Sequence, residues 1–585
     1  MTIKLKEKPF NLGDEQIEWV ENTFAGMTLD EKVGQLFCPS ISMFNKKTVR
    51  HYTQDLKIGS LMIRPFPVKG LQAKIRHLQT SSKYPVLISA NLENGGSGAV
   101  SEGTLFSMPM GCTATNDIET GYRLGKVSCQ EAASVGVNWG YAPIVDIDKN
   151  FRNPITNIRA FSDDPDKVIE MARAYIKGAS EEGVVPTIKH FPGDGCDERD
   201  QHLLISVNDL SYEEWMKSYG KVYRTLIDEG AQTVMVGHIA QPEMAIAMEE
   251  DISKEESFLP ASQSKPLLTG LLRGRLGFNG VVVTDSTLMV GYMQSMPRRQ
   301  AVPRSIECGA DMILFNRNID EDFNYMKRGI QEGLVSMERV DEAVIRILAL
   351  KASMNLHIKH QEGSIVPSAD PFHIINKPQT KEWTKECADK AVTLVKDNRH
   401  ILPLDPVKTK RIYLNVIENY VSNNSAFARS IKKRLEAEGF HVTLRKRKME
   451  INQELLLKGI PTPTILKVMK EIMASTDEFV SQYDMCLIVL NMETVSNATT
   501  VRVNWKVMSG LGNDIPWYAG EMPLVVVSTA NPYHLLDIPM AHAYINAYTG
   551  NEETLDAVMD KMLGRSEFKG VSPVDAFCGH EDCTL

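Results

Sequence analysis

The sequence predicts an α/β protein in which a (β/α)8 (TIM) barrel is followed by a smaller α/β sandwich domain. Two observations lead to this fold class. Eight short apolar runs alternate with helix-like segments over the first part of the chain, as in a barrel of parallel strands. A proline-rich stretch and a second, shorter series of apolar runs follow. We therefore place the barrel at residues 1–355, a linker at 356–390 and the sandwich domain at 391–585.

The eight apolar runs of the first region are continuous rather than alternating. Strands of a parallel sheet are buried on both faces and show this pattern. The runs are Val33–Cys38, Gly59–Ile63, Val86–Ala90, Val137–Ile144, Val185–His190, Thr233–His238, Val281–Asp285 and Met312–Phe315. A doubly wound open sheet is the alternative, but one holding all eight strands would be unusually wide.

Helix-compatible segments separate these runs. Some begin with clear start signals, such as the capping-box pattern Ser-Tyr-Glu-Glu at Ser211, in which the first and fourth residues satisfy each other's backbone N–H groups. The predicted helices of this region are Asp166–Glu182, Ser211–Glu229, Ser262–Gly277 and Ser336–Met354.

The second region is predicted to form a smaller parallel sheet of about six strands with helices packed against it. Its candidate strands are Ile412–Ile417, His441–Leu444, Met485–Leu490, Leu524–Ser528 and Ala543–Ala547. Its candidate helices are Thr380–Lys396, Ser425–Glu438, Thr464–Tyr483 and Glu552–Leu563. No dinucleotide-binding or P-loop glycine motif follows a strand, and we expect no cofactor.

Composition and charge exclude several classes of function. The 65 Lys+Arg and 74 Asp+Glu give a net charge of −9, which does not favour nucleic acid as a partner. No apolar segment has the length of a signal-peptide core or of a membrane helix. The nine cysteines are scattered without C-x-x-C spacing, which is typical of a reducing compartment. We expect a cytoplasmic protein without a membrane partner, for which a homodimer is allowed.

Polar residues gather where the predicted strands end, which is where a barrel enzyme places its active site. Asp285 follows a Val-Val-Val-Thr run, and a rigid carboxylate there suits a nucleophile, although it could instead cap the next helix. Asp200 precedes His202 by two residues and could orient the imidazole ring, unless this charged loop is simply solvated. Lys189 and His190 end the fifth run, where the lysine could bind hydroxyls or form a buried ion pair.

Three of the strand-end histidines could alternatively form a metal site. These are His190, His202 and His238. They lack the H-x-H or H-E-x-x-H spacing of zinc proteins, so we expect no metal.

The strand-end residues resemble those of glycoside hydrolase family 3, and more closely its β-N-acetylglucosaminidase-like branch. The resemblance covers nearly the whole chain. The motifs are Lys189-His-Phe-Pro-Gly-Asp-Gly195, Asp200-Gln-His202, Val283-Thr-Asp285-Ser286, Asn138-Trp-Gly-Tyr-Ala-Pro-Ile-Val-Asp146, Asn153-Pro, Arg159-Ala-Phe161, and Gly103-Thr with Met108-Pro. The sequence differs from common family patterns at Asn91-Leu-Glu93-Asn-Gly-Gly96, and at Gly193-Asp-Gly195, where Gly-His-Gly is commoner.

The resemblance implies an enzyme that removes a β-linked sugar from the non-reducing end with retention of configuration. It assigns the nucleophile to Asp285 and the acid/base to His202, which Asp200 polarises. It assigns contacts with the sugar hydroxyls to Arg159, Lys189, His190 and, less directly, Glu93. A cytoplasmic address restricts the substrate to small oligosaccharides.

Within this frame we favour an exo-β-N-acetylglucosaminidase (β-N-acetylhexosaminidase), and three alternatives stay open. The first is a β-glucosidase or β-xylosidase of the same family whose proton donor is a glutamate of the second domain. The second is a β-glycoside phosphorylase, because a histidine donor leaves less negative charge beside an anionic acceptor. The third is a degenerate barrel that binds sugar without cleaving it.

Overall fold

The computed structural model describes residues 3–419, 425–445, 475–494, 496–503 and 515–585. The chain forms two compact units. The first comprises Met1–Thr113, Asp117–Trp383 and Ser496–Thr499, and the second comprises Ala114–Asn116, Thr384–Val495 and Thr500–Leu585. The stretch predicted as a linker contains the helix Leu356–Glu362 and most of the helix Pro378–Ala391.

The first unit contains a barrel of parallel strands. The strands are β1 (Phe37–Cys38), β2 (Ser40–Ile41), β3 (Ser60–Ile63), β4 (Leu87–Ala90), β5 (Trp139–Gly140), β6 (Val185–Phe191), β7 (Ser206–Val207), β8 (Thr233–Val236), β9 (Ile239–Ala240), β10 (Val281–Thr284) and β11 (Ile313–Leu314). Strands β10-β8-β6-β5-β4-β3-β2 lie side by side, β11 pairs with β1, and β7 and β9 form a separate two-stranded sheet. A bridge between Val283 and Met312 joins β10 to β11. Because only Pro39 separates β1 from β2, these contacts close a ring of eight strand positions, and the predicted barrel is confirmed.

Helices occupy the connections between the strands. They are Asp14–Ala25, Leu29–Gln35, Lys46–Arg50, Leu71–Ser81, Pro109–Ala114, Ile118–Ser134, Pro165–Glu181, Tyr212–Lys217, Tyr219–Glu229, Pro242–Met248, Lys254–Ser257, Val290–Met293, Arg298–Cys308, Ile319–Gln331, Met337–Ser353 and Leu356–Glu362. The segments His51–Leu56 and Pro266–Arg275 are π-helical, and Gly96–Gly98, Asn157–Arg159, Ala261–Gln263 and Pro371–His373 form 3₁₀ turns. None of the helices in the described residues has the length and apolarity needed to cross a bilayer.

Three predicted elements of the first unit are corrected by the structure. The run Val33–Cys38 begins inside the helix Leu29–Gln35, because Thr28 and Glu31 form a capping box that starts a helix there. The predicted helix Ser211–Glu229 is two helices that break at Ser218. The predicted helix Ser262–Gly277 is a 3₁₀ turn followed by a π-helix.

The second unit is built on a six-stranded sheet. Its strands are β12 (Thr393–Asp397), β13 (Arg411–Glu418), β14 (His441–Leu444), β15 (Met485–Asn491), β16 (Leu524–Ser528) and β17 (Ala543–Asn546), in the order β12-β17-β16-β15-β13-β14. All pairs are parallel except β12 with β17. The prediction of an all-parallel sheet is therefore wrong at this edge.

Apolar clusters cover both faces of this sheet, which makes the unit a three-layer sandwich. The helices Pro378–Ala391, Ala426–Ala437 and Glu552–Met562 supply one cluster. Phe479 and Tyr518 belong to the other. The remaining elements are the helix Thr476–Gln482 and the 3₁₀ turns Trp517–Gly520, His534–Asp537 and Glu581–Thr584.

One predicted helix of the second unit is shorter in the structure, and another is described only at its end. The helix predicted over Thr380–Lys396 ends at Ala391, since the β-forming residues after it pair as β12 with β17. Most of the predicted helix Thr464–Tyr483 lies outside the described residues, and its described end contains Thr476–Gln482.

Candidate active site

A buried ion cluster occupies the mouth of the barrel beside strands β4 and β6. Glu93 follows β4, and Lys189 lies near the end of β6. Arg159 donates two hydrogen bonds to the Glu93 carboxylate, at 2.9 and 3.0 Å, and Lys189 Nζ donates a third at 2.6 Å. The structure thus joins three of the residues predicted to contact sugar, and it gives Lys189 the ion pair that was its alternative role.

The cluster carries an excess of positive charge. Burial raises the pKa of Glu93, but Arg159 and Lys189 outweigh that effect and hold the pKa well below its ordinary value. Glu93 is therefore a carboxylate at neutral pH and neutralises one of the two cations. Arg159 and Lys189 occupy three of the roughly four acceptor positions of the Glu93 carboxylate. A ligand with several hydroxyl groups would therefore find mainly N–H donors of the two cations here.

We expect Glu93→Gln to destabilise the protein by about 3 kcal/mol at pH 7, because the largely buried Arg159 and Lys189 would both lose the carboxylate that pairs with them. The folded pKa of Glu93 lies below its unfolded value of about 4.3, so its contribution is complete above that value and is lost as the pH falls through the folded pKa. Urea unfolding of both proteins across pH 3–7 measures this. The difference should narrow towards pH 3, and a difference that does not depend on pH would contradict the assignment.

Asp285 lies directly after β10, and the helix that follows does not use it as a cap. Its N–H donates to the carbonyl of Val236, at 2.8 Å, and its Oδ1 accepts the Ser286 N–H at 2.6 Å. The next helix, Val290–Met293, has Met289 at its N-cap position. The side chain is 15% exposed, so a ligand at the barrel mouth can reach it.

A buried histidine faces Asp285. His190 Nδ1 lies 2.7 Å from Asp146 Oδ2, and its Nε2 lies 3.8 Å from Asp285 Oδ2. The pairing of β6 with β8 shifts register between Lys189 and Phe191. The regular strand alternation is thus interrupted here, and the consecutive residues Lys189 and His190 both reach carboxylates at the barrel mouth.

The histidines tune the Asp285 carboxylate. Burial raises the pKa of Asp285, but the electrostatic attraction of the facing His190 and the hydrogen bond from the Ser286 N–H outweigh that effect and hold the pKa below its ordinary value. Asp285 is therefore ionised at neutral pH, as a nucleophile must be.

His238, just after β8, contacts the segment that follows Asp285. Its Nε2 lies 2.9 Å from the carbonyl oxygen of Ser286, and its Nδ1 lies 2.9 Å from Ser262 Oγ. Burial lowers the pKa of His238 to about 4, so the ring is neutral near pH 7. The carbonyl can only accept, so Nε2 carries the proton and Nδ1 accepts from Ser262. His238 thereby fixes the peptide that follows Asp285.

Asp200 and His202 form the predicted pair on the loop after β6. Asp200 Oδ1 accepts both the His202 ring nitrogen Nδ1, at 2.6 Å, and the His202 backbone N–H, at 2.8 Å. The His202 side chain is 23% exposed, whereas that of Asp200 is fully buried. Burial raises the pKa of Asp200, but the hydrogen bond from His202 outweighs it and the pKa stays below its ordinary value. With Nδ1 held, Nε2 is the nitrogen left for proton transfer.

The second oxygen of Asp200 has a partner that the sequence does not reveal. The backbone N–H of Asn497 donates to Asp200 Oδ2 at 2.7 Å. Asn497 belongs to Ser496–Thr499, which clusters with the first unit although it lies far along the chain. A backbone donor carries no residue signature, so sequence reasoning could not find it. Asp146 could be found, since it stands in a strand-end motif, but its pairing with His190 could not.

Each of the three strand-end histidines has hydrogen-bond partners of its own. His190 is bound to Asp146, His202 to Asp200, and both nitrogens of His238 have partners. Among the residues that the structure describes, no group of three or more His, Cys, Asp or Glu side chains could hold a metal ion.

The fold and the strand-end residues together are those of a barrel enzyme. An ionised carboxylate after β10, a carboxylate-held histidine on the loop after β6 and the charged cluster of Glu93, Arg159 and Lys189 all belong to the first unit. The model of the glycosyl hydrolase family 3 N-terminal domain matches residues 28–350. The chain belongs to glycoside hydrolase family 3.

Similar proteins extend this match over both units. A beta-N-acetylglucosaminidase/beta-glucosidase of Cellulomonas fimi is 40% identical over 587 residues, covering 100% of both chains. A solved beta-glucoside phosphorylase is 42% identical, covers 99% of both chains and superposes with a TM-score of 0.89. A family 3 beta-N-acetylglucosaminidase from Paenibacillus sp. str. FPU-7 is 22% identical, covers 94% of this chain and 99% of its own, and shares the fold with a TM-score of 0.73.

Proposed function

We propose that this enzyme removes terminal β-linked N-acetylglucosamine from small oligosaccharides through a covalent glycosyl ester on Asp285. The observation that carries the proposal is the Asp200–His202 pair, held at 2.6 Å on a loop of the same barrel unit as Asp285. A carboxylate nucleophile and a separate proton donor are what a retaining glycosidase needs. The dual activity in the name of the Cellulomonas fimi relative supports N-acetylglucosaminides as substrates and β-glucosides as second substrates.

In the first step the Asp285 carboxylate attacks the anomeric carbon, and the bond to the leaving oxygen breaks. Protonated His202 gives its Nε2 proton to that oxygen, while Asp200 stabilises the imidazolium through Nδ1. A histidine side chain can donate a proton in one step and accept one in the next. The products are a glycosyl–Asp285 ester, the released alcohol and a neutral His202.

In the second step an acceptor opens the ester. Neutral His202 accepts a proton from water as the water oxygen bonds to the anomeric carbon, and Asp285 leaves as a carboxylate. Two inversions restore the β configuration. We assign the sugar-hydroxyl contacts to Arg159, Lys189, His190 and Glu93, because these side chains surround the same mouth and the cations keep N–H groups that Glu93 does not use.

Phosphate is a second acceptor that specific observations favour. In the covalent intermediate Asp285 is a neutral ester, and Glu93 is outweighed by Arg159 and Lys189. Neutral His202 adds no negative charge where a carboxylate acid/base would. A phosphate dianion therefore meets less repulsion at this site than beside a glutamate. The 42% identical beta-glucoside phosphorylase supports this acceptor.

A panel of 4-nitrophenyl β-glycosides, assayed with and without inorganic phosphate, tests both proposals. We expect the N-acetylglucosaminide to give the highest kcat/KM and the glucoside to follow, with a β-configured sugar 1-phosphate formed when phosphate is present. Release of free sugar alone at saturating phosphate would overturn phosphorolysis and leave hydrolysis standing. No turnover of any β-glycoside would overturn the proposed function, and calorimetric binding of a sugar without turnover would identify a degenerate barrel.

A further inference from the structure

A buried glutamine stands between the two members of the proton-donor pair. The Gln201 side chain is only 1% exposed. Its Oε1 accepts the backbone N–H of His238 at 2.8 Å, and its Nε2 donates to Asp194 Oδ2 at 2.9 Å. A buried amide is costly unless its donor and acceptor are used, and here both ends are. The amide therefore ties the loop to the end of β8.

Asp194, the partner of this amide, is itself fixed by buried groups. Its side chain accepts Asn153 Nδ2 at 3.0 Å and the Gly195 N–H at 2.7 Å. Its own N–H donates to Asp146 Oδ1 at 2.8 Å. Asp146 is the carboxylate that orients His190 beside Asp285, so one chain of hydrogen bonds links the nucleophile's neighbour to the loop of the proton donor.

Close packing leaves this loop little freedom. A Cβ on Gly291, in the segment that follows Asp285, would lie 2.6 Å from the Gln201 carbonyl oxygen. A Cβ on Gly237 would lie 3.0 Å from Gln201 Oε1. The Val290 N–H donates to the His202 carbonyl at 3.0 Å. The loop is thus in contact with the segments that carry His238 and Asp285.

We propose that Gln201 is a positioning residue of the reaction, which fixes His202 relative to Asp285 through its hydrogen bonds to Asp194 and to the His238 N–H. This inference rests on the proposed function, since it assumes that His202 transfers a proton. A positioning role can be distinguished from a general role in stability, because it predicts a loss of activity only on substrates whose leaving group needs a proton. Proton transfer to a poor leaving group depends on the position of His202, whereas attack by Asp285 on a substrate with an acidic leaving group does not.

Exchanging donor and acceptor across the Asp194–Gln201 contact tests the proposal. In D194N the introduced amide faces the Gln201 amide, and in Q201E two carboxyl groups face each other. The double variant D194N/Q201E restores one donor and one acceptor. For an alkyl β-glycoside we expect D194N to lower kcat/KM by about 100-fold, and the double variant to recover at least about tenfold of that loss. We expect a smaller loss in Q201E, because burial and the neighbouring Asp146 raise the pKa of Asp194 to about 7 and a protonated Asp194 can donate to the introduced carboxylate. For the 2,4-dinitrophenyl β-glycoside all three should stay within about threefold of the wild type.

Two kinetic results would overturn the proposal. One is an equal loss on both substrates, which would indicate a structural role. The other is a double variant no better than the worse single variant. Amide hydrogen exchange over residues 197–204 gives a readout without substrate, and we expect faster exchange in both single variants and recovery in the double variant. Unchanged amide exchange in the single variants would also contradict the proposal that Gln201 holds the loop. If the wild type cleaves no β-glycoside, the proposed function fails, and the exchange result still decides whether Gln201 holds the loop.

Discussion

Asp285→Ala will abolish turnover of every β-glycoside that the enzyme cleaves, with kcat/KM falling by on the order of 10⁴-fold or more. The reason is that the variant removes the proposed nucleophile. Among the described contacts of Asp285, Oδ1 accepts the adjacent N–H and Oδ2 faces His190 at 3.8 Å. The isosteric D285N should lose as much, because its amide keeps the shape and lacks the nucleophile. Initial rates on 4-nitrophenyl glycosides measure both variants.

Azide separates loss of the nucleophile from loss of the fold. In D285A a small anion can occupy the vacated space and attack the anomeric carbon from the α face, so an α-glycosyl azide should form from an activated substrate. The melting temperature should stay within about 4 °C of the wild type, which corresponds to less than about 2 kcal/mol for a domain of this size. D285A with substantial hydrolytic activity, or azide product of β configuration, would show that another group is the nucleophile.

The sequence was informative about the site because the strand ends of a parallel barrel meet at one mouth. Lys189, His190 and Asp285 each stand at the end of an apolar run, so their convergence follows once the runs are read as barrel strands. The pairing of Asp200 with His202 could also be predicted, because a separation of two residues within a loop allows the carboxylate to reach the imidazole ring. In each case the residues that meet are either close in sequence or brought together by the geometry of the barrel.

The hydrogen-bond partners of these residues could not be predicted from the sequence, because they depend on how the loops pack. Asp146, Asp194 and Gln201 all stand in the motifs that were recognised, yet nothing in the motifs says which side chain bonds to which. The backbone N–H of Asn497 carries no side-chain signal at all. The contacts that hold the acid/base loop in place were therefore accessible only from the structure.

Two of the errors in secondary structure have a common physical origin. At the start of the second unit, helix Pro378–Ala391 runs into Val392 and then into β12, and the apolar residues continue without an intervening glycine or proline. At Val33 the reverse occurs, since a helix passes directly into β1. Where a short apolar run has no breaker, its pattern fits a buried helix as well as a strand, and tertiary pairing decides.

His202→Ala will give a loss of activity that depends on the leaving group, in contrast to D285A. For alkyl glycosides or disaccharides, whose leaving oxygen needs a proton, kcat/KM should fall by about 10² to 10⁴-fold. For the 2,4-dinitrophenyl glycoside the first step should stay near the wild-type rate, because that phenolate leaves without a proton. D200N is the matched control. It keeps the imidazole but removes the charge that holds Nδ1, and such supporting partners are typically worth about 10 to 100-fold.

The second step provides the sharper test of His202. Water needs a base to attack the glycosyl–Asp285 ester, whereas azide and phosphate carry their own negative charge and do not. In H202A, hydrolysis should therefore accumulate the ester, and azide should release it as a β-glycosyl azide, the opposite anomer to that expected with D285A. If phosphate is an acceptor, phosphorolysis of the dinitrophenyl glycoside should survive in H202A while hydrolysis is lost. Undiminished cleavage of alkyl glycosides by H202A would instead place the proton donor elsewhere. It would favour the alternative of a β-glucosidase whose proton donor is a glutamate of the second domain.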